Sequence, residues 1–250
     1  MEWEDSKDEE PLVGGRLTLG VVRVGDTVRR PHSPASEFTE KLLSLLEERG
    51  FLGAPRFMGR DERGRDVLNF IPGTVPVKWR RFEDEQVGQA GSLLRQFHDA
   101  TRDSVLCGSA PVVCHNDAGP NNVIFQHERP IAFIDFDMAG PGEPILDIGY
   151  MAWAWCVSSK PKRQPVTLQA SQVRLLAEAY GLGRADSRDL PDAIIARQRR
   201  NITFWNERRE HYVEGESVSS LAKIDEVIAW SHEEVAYTIE HRATFASALS

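Results

Sequence analysis

From Leu12 to Pro31 the apolar residues come in short, β-branched runs, Leu17–Val24 and Thr27–Arg30, punctuated by Gly14-Gly15 and Gly25-Asp26. Gly-Asp between two such runs predicts a β-hairpin. Ser33-Pro34 then signals a helix start, with serine as cap and proline at the first helical position. Phe38, Leu42, Leu45 and Leu46 follow at helical spacing, and Gly50 ends the pattern. Two further short strands fit Pro55–Gly59 and Asp66–Phe70, joined by a turn at Asp61–Gly64. Ile71-Pro72-Gly73 breaks the pattern, with Pro76 beyond it, and reads as a hinge.

The period then changes. Val87, Ala90, Leu93, Leu94, Phe97 and Ala100 form one stripe of a helix over Glu83–Ala100. A strand–loop–strand–turn–strand block spans Pro111–Asp137, and the remainder reads as helices at roughly 144–157, 166–181, 189–212 and 218–247. This order predicts an α+β protein of two lobes: residues 11–71 a small β-rich N-lobe, and 72–250 a mostly helical C-lobe.

Composition narrows the class. Of 250 residues 41% are apolar and 27% charged, as in globular proteins, and 30 basic against 38 acidic residues give a net charge of −8. Six of the acids fall in Met1–Glu10, so residues 1–10 read as an acidic disordered tail and the body is only mildly negative. That balance excludes the basic face which nonspecific nucleic-acid binding needs. The longest apolar run, Met151–Val157, is too short for a membrane span, and the acidic N-terminus does not resemble a secretory signal. Three cysteines (Cys107, Cys114, Cys156), none in C-x-x-C spacing, fit a reduced, cytoplasmic setting rather than a disulfide or zinc scaffold.

The chemistry concentrates in Val113-Cys-His-Asn-Asp-Ala-Gly-Pro-Asn-Asn-Val-Ile-Phe125 and Ile131-Ala-Phe-Ile-Asp-Phe-Asp137. Apolar flanks bury the strands and leave His115, Asn116, Asp117, Asn121, Asn122, Asp135 and Asp137 clustered at strand ends and in the loop between. Buried carboxylates this close repel one another unless a cation compensates. An oxygen-only ligand set points to Mg²⁺ or Mn²⁺ rather than Zn²⁺.

His115-x-Asp117, with Asn122 five residues after the aspartate and then an apolar strand ending in Ile134-Asp135, resembles the catalytic core of eukaryotic-like kinases. The wording is most similar to the aminoglycoside phosphotransferase family, with Asp147-Ile148-Gly149 resembling its Asp-x-Ala element. The resemblance implies a protein-kinase-like fold and transfer of a phosphoryl group from ATP (or GTP), with Mg²⁺, to a hydroxyl of a small molecule such as an aminoglycoside-like antibiotic or related metabolite. On this reading Asp117 orients and deprotonates the hydroxyl, Asn122 and Asp135 hold the metal, and Asp147 accepts backbone N–H groups of the catalytic loop. His115 packs the loop, and Asp137 is a supporting acid or an outer metal contact. The family's phosphate-covering loop corresponds to Gly14–Gly20. Its phosphate-binding lysine is replaced by Arg29 or Arg30, the basic-x-Pro spacing favouring Arg29. The paired helix acid would be Glu40, with Glu37 the alternative. Asn69, Phe70 and Ile71 would present backbone groups to the purine.

Asn206–Glu240 carries nine acids: Glu207, Glu210, Glu214, Glu216, Asp225, Glu226, Glu233, Glu234 and Glu240. A cationic acceptor would gain from that field, but a solvated helix face is the favoured account of it. Trp205 and Trp230 could wall an acceptor pocket; Trp153, Trp155 and Cys114 read as core. Two rivals remain: a catalytically silent kinase-like module that binds nucleotide or a partner, and a metal-dependent hydrolase. A protein kinase is disfavoured, because no Ala-Pro-Glu element or long activation segment is present.

Overall fold

The computed structural model describes residues 9–12, 20–76, 80–160, 163–215, 217 and 219–250. Its N-lobe is an antiparallel sheet of five strands in the order β1-β2-β3-β5-β4. These are β1 (Glu10–Pro11), β2 (Val22–Val24), β3 (Thr27–Arg30), β4 (Phe57–Arg60) and β5 (Asp66–Asn69). The β2–β3 hairpin turns at Gly25-Asp26 as the sequence predicts, with Gly25 in the left-handed region at φ +57°. β3 pairs with β5 from Thr27↔Asn69 to Arg30↔Asp66. Sheets this small need a covering helix. Helix α1 (Ser36–Glu48) supplies it by burying Leu42, Leu43 and Leu46 completely. It closes on a Schellman pair, Phe51 N–H to Leu46 O and Gly50 N–H to Glu47 O, with Gly50 at φ +70°.

One expectation is corrected here. Glu9 and Glu10, assigned to a disordered tail, are held by the lobe: Glu10 of β1 pairs with Arg23 of β2, and the Glu9 carboxylate lies 3.2 Å from Arg63 and 3.0 Å from Arg65. Charge complementarity with that arginine pair recruits the acids onto the sheet edge. Residues 1–8 and the proposed loop segment 13–19 lie outside the described residues.

The C-lobe begins with α2 (Asp84–Thr101), started by a capping box between Glu83 and Gln86. Two antiparallel ribbons follow. β6 (Val112–Cys114) pairs with β9 (Gly140–Gly142), and β7 (Val123–Gln126) pairs with β8 (Arg129–Phe133). Phe97 of α2 is fully buried and packs its ring against Phe51, Phe133, Phe136 and His115, so one aromatic cluster reaches from the N-lobe boundary to the loop beneath β6. At the lobe junction Thr74 bridges to Phe125, and the backbone passes so close that a Cβ on Gly73 would lie 2.6 Å from the Phe125 carbonyl oxygen.

Helices α3 (Pro144–Trp155), α4 (Val166–Tyr180), α5 (Arg184–Glu210), α6 (Leu221–Glu240) and α7 (Arg242–Ala248) complete the lobe. α5 starts upstream of the 189–212 helix read from the sequence: Gly183 caps it, and Pro191 lies inside. The last predicted helix divides at His241 into α6 and α7. α3 and α5 approach closely because residue 149 has no side chain. A Cβ there would lie 2.8 Å from the Ala193 carbonyl carbon. Among the described residues no helix is long and apolar enough to cross a membrane.

Candidate active site

A cleft of about 820 Å³ lies between the lobes, within the range of small-ligand sites. Its N-lobe wall includes Val28, Arg30, Thr39, Asn69, Phe70 and Ile71; its floor includes Asp117, Asn121, Asn122 and Asp135. The two halves of the motif, separated by the β7–β8 hairpin, therefore meet at one place.

The loop after β6 is held by a buried carboxylate. Asp147, wholly inaccessible on α3, accepts the His115 N–H at 2.7 Å, the Asn116 N–H at 2.8 Å and His98 Nε2–H at 3.0 Å. His98 Nδ1 in turn accepts from the Tyr180 hydroxyl at 2.8 Å. Burial alone would raise the Asp147 pKa, but the His98 hydrogen bond, with the loop amide, holds it below the usual carboxylate range. This is the role the sequence assigns to Asp147. His115 is buried as well: its Nε2–H donates to the Ile134 carbonyl at 3.2 Å, and its Nδ1 accepts the Asp117 N–H at 3.3 Å. It thereby joins the loop to the strand that ends at Asp135.

Asp117 is gripped from two sides. The Asn122 amide nitrogen donates to its Oδ2 at 2.7 Å and to its carbonyl at 2.9 Å, while the Tyr150 hydroxyl donates to Oδ1. Burial, then the Asp117 charge, pushes the Tyr150 phenol well up, so it stays a donor. Asn122 turns its nitrogen to Asp117 and keeps its oxygen on the other side, where it accepts from Asn121 at 3.0 Å. Asp135 sits at φ +65°, a backbone region few non-glycine residues occupy and one that clusters at functional sites. Burial raises its pKa, with the nearby Asp137 and Asp117 charges acting the same way and Arg30 opposing them.

These groups fit a hard cation. The donors are oxygens, the Asn121 Oδ1 is buried without a hydrogen-bond partner beside them, and the carboxylates are close enough to penalise one another's charge. Asn122 and Asp135 are the residues present to hold it.

The N-lobe corrects two sequence expectations. Arg30, not the favoured Arg29, reaches the cleft. Its Nη2 lies 3.1 Å from Asp135 Oδ1 and 2.8 Å from Asp137 Oδ2. Strand alternation is the reason: Val28 and Arg30 face the cleft, so Arg29 faces away, buried, with Nη1 donating to Thr27 Oγ1 at 2.6 Å and Nε 3.6 Å from Asp61. Glu40 is not brought to the site either; it pairs with Arg60 at 2.7 Å on the outer side. The α1 residues that line the cleft are Leu43 and Thr39, the latter one position before Glu40, with a buried hydroxyl that has no hydrogen-bond partner. Asn69, Phe70 and Ile71 do line it, although the Phe70 N–H is bonded to the Asp26 carbonyl and the Asn69 side chain to the Arg56 N–H.

Beyond Asp117 the cleft widens between α3, α5 and α6. Tyr150, Trp153, Phe204, Trp205 and Trp230 form its walls, with Arg197, Arg200 and Asn201 among them. Trp153 and Trp230 stack at 5.2 Å, and both indole N–H groups donate to buried Glu234 at 3.0 Å. None of the acids of 206–240 that the structure describes lines the cleft. Seven are exposed, Glu234 is turned behind the tryptophans, and Glu216 lies outside the described residues. The solvated-face reading of that charge is therefore the one that holds. Tyr150 and Arg197 have no counterpart in the sequence reading. Tyr150 carried a signal in being one helical turn from Asp147; Arg197 carried none.

A family profile described as "Phosphotransferase enzyme family" matches residues 77–190. Over 270 aligned residues the chain is 32% identical to the trifolitoxin immunity protein of Rhizobium leguminosarum bv. trifolii, covering 97% of this chain and 99% of that one. Among solved structures, a choline/ethanolamine kinase family protein from Mesorhizobium loti superposes with a TM-score of 0.63 at 17% identity, over 97% of this chain and 92% of that one. An ADP-bound aminoglycoside phosphotransferase, APH(2″)-Ib, gives 0.58 at 12% identity over 93% and 95%. At such identities the likeness concerns the fold, which is protein-kinase-like with two lobes.

Proposed function

The chain belongs to the phosphotransferase enzyme family, and on that premise we propose that it transfers the γ-phosphoryl group of ATP (or GTP) to a hydroxyl of a small molecule. The observation that carries this reading is the meeting of Asp117, Asn122, Asp135 and Arg30, from three separate segments, on one cleft. In this role Asp117 takes the acceptor's proton while the acceptor oxygen bonds to the γ-phosphorus and the bond to the nucleoside diphosphate oxygen breaks. Asn122 and Tyr150 hold its carboxylate at a fixed angle, which aligns the nucleophile. Asn122 and Asp135 would hold Mg²⁺, whose contribution when bound is to neutralise phosphate charge. Arg30 adds a guanidinium that can fork onto phosphate oxygens. Asn69–Ile71 line the half of the cleft suited to the purine. The relative's name, an immunity protein, supports an acceptor that is a toxic compound inactivated by phosphorylation.

A coupled ADP-release assay with Mg²⁺ and an acceptor panel tests the reading. Turnover is expected with at least one acceptor and falls by roughly three orders of magnitude or more in Asp117→Ala, while a thermal shift with ADP persists. One observation favours a second reading, the silent nucleotide-binding module: Arg30 already neutralises Asp135 and Asp137. ADP binding without turnover of any acceptor would select it. Hydrolysis of phosphoesters without nucleotide would overturn both.

A further inference from the structure

The acceptor half of the cleft carries a charge pattern that the phosphotransfer reading does not by itself require. α5 points two arginines into it, Arg197 and Arg200, one helical turn apart and therefore on one face. Arg197 is only 7% exposed. Its Nη2 donates to the Asn116 carbonyl at 2.7 Å and its guanidinium lies 5.1 Å from the Tyr150 ring centre, but its Nε, buried, has no hydrogen-bond partner. Arg200 makes no ion pair among the described residues. Burial disfavours the Arg197 charge and the neighbouring Arg200 adds to that cost, with Asp147 and Asp117 opposing in part. The carboxylates that line the cleft are Asp117 and Asp135, both at the catalytic end. Glu234, the buried acid nearest the tryptophans, is fully engaged, accepting from Trp153, Trp230 and both the N–H and hydroxyl of Ser159.

We propose that the acceptor is an anion: a hydroxyl-bearing compound whose carboxylate, or comparable planar oxyanion, sits on Arg197 and Arg200 while a ring-bearing apolar part lies against Trp153, Trp205 and Trp230. The Arg197 guanidinium, which lines the cleft, and Arg200, which makes no ion pair among the described residues, each carry a planar fork that matches a carboxylate. The stacked indoles supply a flat apolar face. A polycation entering the same space meets two like charges, and among the described residues the carboxylates that line the cleft, Asp117 and Asp135, lie at its other end.

This proposal rests on the phosphotransfer reading for the hydroxyl but not for the anion, and the experiment separates the two. Calorimetry with the ADP-loaded protein compares 3-phenyllactate and N-acetyltryptophanylserine with their methyl esters, and with kanamycin and choline as cations. ADP release is followed in parallel. Each acid is expected to bind at least tenfold more tightly than its ester. Arg200→Gln is expected to reduce that preference to less than threefold, Arg197→Lys, which keeps the charge and loses the fork, to reduce it in part, and Arg199→Gln, which does not line the cleft, to retain all of it. Equal binding of acids and esters, tightest binding of the cations, or binding of none of the probes overturns the proposal. So does Arg200→Gln weakening ADP instead of the acids, which would put the anion on the nucleotide. Acid-selective binding without ADP release from any acceptor would leave the anion site standing and remove the phosphotransfer reading; turnover of cations alone would do the reverse.

Discussion

Replacing Asp147 by asparagine removes a charge and one acceptor from a site with no access to water. In the native protein Oδ1 serves the Asn116 N–H, and Oδ2 serves both the His115 N–H and His98. An amide can keep its oxygen at one of these positions but must then turn an NH₂ group toward a backbone N–H. One buried donor is left unsatisfied, at about 1–3 kcal/mol, and the bonds that remain lose their charge assistance. The expected loss is about 3 kcal/mol, a large share of the ~5–15 kcal/mol typical of folded proteins. With a urea slope of roughly 3 kcal/mol per M, the unfolding midpoint followed by tryptophan fluorescence drops by about 1 M. The effect has a pH signature. The folded pKa of Asp147 is depressed, so its contribution is complete above the unfolded value of about 3.9 and is lost as pH falls through the folded value. The gap between native protein and variant is therefore full at pH 7 and narrows only below about pH 4. A midpoint change under about 0.3 M at pH 7, equivalent to about 1 kcal/mol, would refute the view that this carboxylate anchors the catalytic loop.

Three further outcomes follow from the same geometry. Tyr150→Phe removes the hydroxyl that positions Asp117 and should lower kcat about tenfold, the rate equivalent of ~1.4 kcal/mol, with little change in the nucleotide KM; an unchanged kcat in steady-state assays would dismiss that contact. Arg30→Met should weaken ADP binding tenfold or more by calorimetry, as a lost charge-assisted bond of about 1.5–3 kcal/mol requires, whereas Arg29→Met should lower the melting temperature and spare ADP affinity. The opposite pattern would restore Arg29 to the site. Glu234→Gln puts an NH₂ group among four donors, and should cost about 2–3 kcal/mol and shift the emission of the stacked tryptophans; identical emission and unfolding curves would contradict it.

Much of the N-lobe was legible because turn chemistry and β-branched runs are local signals: Gly25-Asp26, Gly50 and Asp61–Gly64 all fall where the structure turns. The catalytic constellation was legible because one loop and one strand end carry it, Asp117, Asn122 and Asp135 within a short span. Motif spacing points to Arg29, but strand alternation puts Arg30 on the cleft face with Val28. Glu40 lies one position from Thr39 on α1, and helical phase carries it off the face on which Thr39 and Leu43 line the cleft. The acceptor wall was the least legible part. Arg197 lies 81 residues from Asn116, and only the packing of α5 on α3 joins them.

That packing depends on an omission. Because residue 149 carries no methyl group, the α5 backbone at Ala193 rests directly on α3, and Arg197, one turn further along, reaches the Asn116 carbonyl at 2.7 Å. Any side chain at 149 would have to wedge the two helices apart, and that short reach would lengthen with them. The seating of the Asp117 loop against α5 is thus gauged from behind, by how thin the chain is at position 149.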